Sequence, residues 1–169
     1  IMGLEDIQRS GKPGLPSGAI QLARDGRTEV LVMPSEAYDH AISAGFTCRL
    51  RMMPGYDDRK VREEQAIFYS KKDPVGGVSL ILGAGNVASI PPTDALYKMF
   101  HEGKLCIVKL NPVNEYLGPF YEKAFQPLVE RGYLRFVYGG AEVGSYLSYH
   151  PQIVDVHITG SDRTHDLIV

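Results

Sequence analysis

The chain has 169 residues, 44% apolar and 22% charged, with a formal net charge of -2, which suits about one domain with a buried core. That near-neutral balance excludes the electrostatic footprint of a nucleic-acid binder or of a protein held on an anionic membrane surface. No apolar run approaches the roughly 20 residues that span a bilayer, and the segment IMGLEDIQRS lacks the basic-then-apolar layout of a signal peptide, so the expectation is a cytoplasmic protein.

The first 72 residues read as a small β-rich segment. SGKPGLPSG (10–18) is Gly- and Pro-rich and is expected to be a linker or an arm lying on another surface. In AIQLARDGRTEVLVM two alternating runs flank Asp25-Gly26, the signal of a tight hairpin. Ser35 is expected to cap a short helix, EAYDHAISA, which Gly45 ends. TCRLRMM alternates as a strand does. GYDDRKVREE is a charged connection, a solvated loop or helix face rather than a carboxylate pair for acid–base work.

From residue 73 onward strands and helices alternate. GVSLIL is an apolar strand, and PTDALYKMFHEG places Ala95, Leu96, Met99 and Phe100 at helical spacing, with the helix starting at about Pro92 and ending at Gly103. KLCIVKL is the next strand. YLGPFYEKAFQPLVERG follows as one helix with Leu117, Phe120, Tyr121, Ala124, Phe125, Leu128 and Val129 on its apolar face, bent at Pro127. YLRFVY, AEVGSYLSYH and QIVDVHIT give strand, helix and strand, and SDRTHDLIV starts a further helix. This order predicts an α/β fold, a Rossmann-like parallel sheet with helices on both faces, over 73–169. Ligands of such sheets bind beyond the carboxyl ends of the strands, where four Gly- or Asn-rich loops fall: GAGNVAS, LNPVNE, YGGAEVG and TGSDRT.

The loop in LILGAGNVASIPP (80–92) contains Gly-x-Gly-x-x-Ala directly after a strand, as a dinucleotide fingerprint does. A pyrophosphate cradle needs a helix that starts at the glycines, whereas Pro91 and Pro92 delay it, and Lys109 stands at the end of the next strand where an acidic residue is required. ITGSDRT is the better phosphate candidate, with Gly160 and Ser161 leading into a helix start. Cys48 and Cys106 both sit in strand-like runs and are expected to be buried core thiols. The five histidines show no metal-ligand spacing, so no metal site is expected.

Taken in order, PVGGVSLILGAGN, GKLCIVKLNP and YGGAEVGSYLSYHPQIVDVHITGS resemble the cofactor-binding region of the aldehyde dehydrogenase superfamily over about residues 73 to 169. The resemblance implies NAD or NADP as cofactor and an aldehyde as substrate of the complete enzyme. Asn86 falls on the Asn of the family's Pro-Trp-Asn loop, which stabilises the developing oxyanion. Lys109, 23 positions later, falls on the Lys that hydrogen-bonds the adenosine ribose. Gly140 would admit the adenine, Ile158 would flank the dinucleotide, and Gly160 and Ser161 would contact the pyrophosphate.

Departures from the family pattern are also visible. Ala84-Gly85 replaces Pro-Trp, Pro112 stands where NAD-preferring members carry a Glu, and no glycine follows Ser161. The family's general-base Glu and nucleophilic Cys have no counterpart in the 169 residues, and neither Cys48 nor Cys106 fits the nucleophile motif. The implied reading is a fragment of a longer enzyme, inactive as a dehydrogenase by itself because the cysteine adduct cannot form. An acyl-CoA reductase fragment and a non-catalytic nucleotide-binding or assembly module are the alternatives. Strands within residues 19–53 could pair between subunits of a homo-oligomer.

Overall fold

The computed structural model describes residues 2–160 and residue 166. The chain divides into two compact units, residues 1–72 and 73–169.

The first unit holds a three-stranded antiparallel sheet of β1 (Ile20–Leu22), β2 (Thr28–Met33) and β3 (Cys48–Arg51), with β2 in the middle. Gly26 turns the β1–β2 hairpin at φ +78°, a conformation that costs glycine little. On one face Glu29 pairs with Arg51 at 2.8 Å. The unit begins with helix α1 (Met2–Ser10), which the sequence reading did not anticipate. The Pro/Gly-rich arm after it is anchored, because Lys12 Nζ donates to the Arg62 carbonyl at 2.8 Å and Gln65 Nε2 to the Pro13 carbonyl at 3.1 Å.

Helix α2 (Ala37–Ile42) is capped by Glu36, not by Ser35. Ser35 directs its hydroxyl, at 2.9 Å, and its backbone N–H, at 2.9 Å, to the Asp39 carboxylate, so its oxygen serves as donor rather than as backbone cap. The charged run 55–64 contains helix α3 (Asp58–Glu64), whose cap Asp57 accepts from Lys60 N. Cys48 is exposed, contrary to the expectation of a core thiol: it pairs with Met33 beside an irregularity in the β2–β3 ladder. Among the described residues no helix is long and apolar enough to cross a membrane.

The second unit is a four-stranded parallel sheet of order β6-β5-β4-β7, made of β4 (Val78–Leu82), β5 (Leu105–Lys109), β6 (Leu134–Val137) and β7 (Ile153–Ile158). Helix α4 (Ile90–Glu102) packs on β4 and β5, and Gly103 ends it in the left-handed conformation. Its cluster contains Ile81, Ala95, Val108, Leu134 and Phe136, with Tyr121, Phe125, Leu128 and Val129 packed against them. Helix α7 (Ala141–Ser148) packs on β4 and β7. A side chain on Gly144 would touch Leu82 at 3.8 Å, so α7 lies close against β4.

Between β5 and β6 the single bent helix expected from the sequence is replaced by three pieces: a 3-10 turn (Pro112–Leu117), α5 (Gly118–Ala124) and α6 (Gln126–Glu130). Pro127 stands in the first turn of α6, where its missing N–H costs nothing, and the chain breaks at Phe125 instead of bending. Phe120 and Ala124, expected on the apolar face, are exposed, Phe120 at 69%.

At the amino half of the sheet lies a buried polar network. Lys98 contacts Glu102 at 3.0 Å and Asp155 at 3.1 Å, and Ser79 donates to Asp155 at 2.6 Å. Burial draws the Lys98 pKa down, but the bonds to Glu102 and Asp155 outweigh it, and the net shift is upward. Beside it Cys106 is buried, and desolvation pushes its thiol up to about 12, so this sulfur is not a nucleophile at neutral pH.

Candidate functional site

The strand order places β5 and β7 on opposite sides of β4, so the chain reverses its direction of build at β4. Open parallel sheets bind ligands at such switch points. A cleft of about 780 Å³ lies there, within the size range of small-ligand and cofactor sites.

Five of the six residues singled out from the sequence line this cleft: Asn86, Lys109, Gly140, Ile158 and Gly160. Ser161 lies outside the described residues. Among the described residues lining the cleft, none is a carboxylate, imidazole or thiol. The lining therefore offers amides, hydroxyls, one ammonium and backbone, groups that can bind and orient a ligand through hydrogen bonds.

The glycines of GAGNVAS have a packing explanation. A Cβ on Gly83 would stand 3.0 Å from Pro91 Cγ and 3.1 Å from the Lys109 carbonyl; one on Gly85 would stand 2.9 Å from Asn111 Nδ2. Gly83 N also donates to Lys109 O at 2.9 Å. A side chain at Gly83 would crowd Pro91 and the Lys109 carbonyl, and one at Gly85 would displace the end of the Asn111 side chain, so close packing favours glycine at both places. The helix after the loop starts at Ile90 and has proline at its next two positions. Two of its first N–H donors are thereby missing, so it makes a poor phosphate cradle. Asn86 is exposed in the cleft wall, and its side chain has no hydrogen-bond partner among the described residues.

Lys109 is 7% exposed, and its side-chain ammonium makes no hydrogen bond or ion pair with any described residue. Burial lowers its pKa, while the charges of Glu115 and Glu142 act in the opposite direction. Its ammonium, free of protein partners among the described residues, belongs to the lining of the cleft.

The turn after β6 is built around carboxylates. Gly139, at φ +121°, donates its N–H to Glu115 Oε1 at 2.6 Å, and Gly140 donates to Glu142 Oε1 at 3.1 Å. The protein's own side chains thus occupy the amides ahead of α7. At the end of β7, Thr159 donates its hydroxyl to Asp94 Oδ2 at 2.8 Å, and His157 Nε2 lies 3.5 Å from the same oxygen. This ties the β7 lip of the cleft to α4.

Two residues that sequence reasoning passed over hold the Asn86 loop. Asn114 donates to the carbonyls of Ala84 and Gly85, and the Tyr121 hydroxyl donates to that of Ala88 at 2.6 Å. Asn114 reads in the sequence as one more polar residue in a loop, and only its burial sets it apart.

No protein-family model, curated protein or solved structure matches this chain. The functional reading therefore rests on the motifs and the cleft.

Proposed function

We propose that the cleft takes a dinucleotide, NAD or NADP, and that the chain represents the cofactor-binding part of an aldehyde dehydrogenase-like oxidoreductase. The observation that carries this reading is that Lys109, a residue 7% exposed whose ammonium has no partner among the described residues, lines the same cleft as Asn86, Gly140, Ile158 and Gly160. A ligand rich in hydroxyl and phosphate acceptors complements that donor. The small residues Gly140, Ala141 and Gly144 leave room for a flat ring along α7.

In this reading Lys109 holds the adenosine ribose, Gly140 lets the adenine lie against the backbone, and Ile158 packs on the dinucleotide. Gly160 and Ser161 take the pyrophosphate. Asn86 directs its amide N–H toward the substrate carbonyl in the complete enzyme, an electrostatic role that needs the group fixed before charge develops. The cofactor, when bound, supplies the hydride acceptor. A lining of glycines, amides and hydroxyls with one ammonium suits a cofactor site.

Titration of the chain with NAD and NADP, followed by calorimetry and thermal shift, tests the proposal. The expected result is saturable binding by at least one of them, with an upward shift in Tm. An unchanged Tm and no heat at millimolar cofactor would overturn it.

A further inference from the structure

We infer that Asn114 is the positioning residue for the loop that presents Asn86; its functional consequence rests on the dinucleotide reading of the cleft. Residues 84–88 have little backbone support of their own. Among the described backbone bonds of this stretch, Ile90 N donates to Val87 O at 3.3 Å, and Gly83 N bonds to β5 just before it begins. The conformation at Asn86 is set instead by side chains from residues 111–121.

Asn114 is 9% exposed, and its amide nitrogen spends both N–H groups on this loop, at 3.2 Å to Ala84 O and 3.0 Å to Gly85 O. These are the two carbonyls directly ahead of Asn86. Asn111 presses on Gly85 from the same side, and Tyr121 holds Ala88 beyond Asn86. The backbone of Asn114 is itself anchored, with its N–H on Asn111 O at 2.8 Å. A buried amide with both donors committed to neighbouring carbonyls fixes two peptide planes at once, and the orientation of the next side chain follows from them.

The variant that isolates this role is N114D, which keeps the shape but replaces the donor with an acceptor facing two carbonyl oxygens. Hydrogen exchange and NMR, with the Asn side-chain amides labelled, are recorded on the 169-residue chain with and without NAD. The Ile90 amide, bonded to Val87 O of the loop, is expected to exchange about tenfold faster in N114D, the loss expected for two hydrogen bonds, with β4 and β5 unchanged. On NAD addition, the Gly160 signal should still shift while the Asn86 side-chain signal loses most of its response. If N114D does not fold, N114S carries the same readouts.

Unchanged exchange at Ile90 overturns the positioning role whether or not a ligand binds. An Asn86 response equal to that of the unaltered chain overturns it as well. No response at either signal in the unaltered chain sinks the dinucleotide reading instead, and the exchange data then decide the loop contact alone.

Discussion

The Thr159 hydroxyl donates to Asp94 Oδ2 at 2.8 Å, joining the carboxyl end of β7 to α4 across 65 residues of sequence. Thr159 also lines the cleft, so this bond fixes one lip of the ligand site to the helix that packs on β4 and β5. T159V keeps the shape and removes the donor, leaving Asp94 with His157 alone. The expected cost is about 1 kcal/mol in urea unfolding, with a several-fold loss of NAD affinity by calorimetry. Loss of stability without loss of affinity would show that the lip does not contribute to binding.

Lys109 gives a prediction in which stability and binding move in opposite directions. Burying an unpaired ammonium is unfavourable, so K109M should raise Tm by about 2–4 °C while weakening cofactor binding at least tenfold. The folded pKa of Lys109 lies below the ordinary 10.5. Between that lowered value and 10.5 the unfolded chain binds more protons, and the stability of the Lys109 protein therefore rises with pH. The penalty is fully present below the folded value and is relieved as pH climbs through it. The Tm gap between K109M and the unaltered chain should accordingly narrow at alkaline pH. A gap that widens there would contradict the assignment of burial as the cause.

Glu115 and Glu142 bear on which dinucleotide is favoured. The sequence alone made NADP acceptable, since Pro112 stands where a carboxylate would repel a 2′-phosphate. The fold brings two other carboxylates to bear on Lys109, through bonds to Gly139 and Gly140. NAD should bind more tightly than NADP, by roughly tenfold at low salt, with the ratio shrinking as salt screens the exposed Glu142. E142Q keeps an acceptor for Gly140 and should narrow the ratio further. Equal affinities in the unaltered chain would remove these carboxylates from consideration.

How much of this was legible in the sequence depends on which force set each element. β4, α4 and β5 were readable because burial on both faces of a parallel sheet leaves continuous apolar runs, and Ala95 and Met99 repeat at helical spacing. The hairpin was readable through Asp25-Gly26. Helix α1 was not, because MGLEDIQRS has too short an apolar stripe, and the Gly/Pro texture after it dominated the reading. The helix over 116–132 was read as continuous because its apolar spacing runs through Pro127, whereas the chain breaks at Phe125. In the site, residue types with a motif could be placed on loops in advance. Asn114, Glu115 and Glu142 could not, since their roles come from burial and from carbonyls and amides that only the fold brings near.

The two cysteines offer a test of the environments the fold assigns. Cys48 is exposed at the start of β3, whereas Cys106 is buried beneath α4 with its Sγ 3.6 Å from Ala95 O. Desolvation is the first cause that raises the Cys106 thiol to about 12, and the Asp155 charge adds to it while Lys98 opposes it. With an aromatic disulfide reagent at pH 8, one equivalent of thiol should react promptly in the native chain, and the second only as fast as the unit opens. C48S should abolish the prompt phase and C106S should leave it intact. K98M strengthens the test, because it leaves Asp155 bonded only to Ser79 and removes the one cation that draws the thiol pKa down. That variant should lose about 2 kcal/mol in urea unfolding, and its Cys106 should react faster through opening, despite a thiol that is harder to ionise. Prompt reaction of both thiols in the native chain would place Cys106 at the surface and contradict the α4–β5 packing on which the cleft is built.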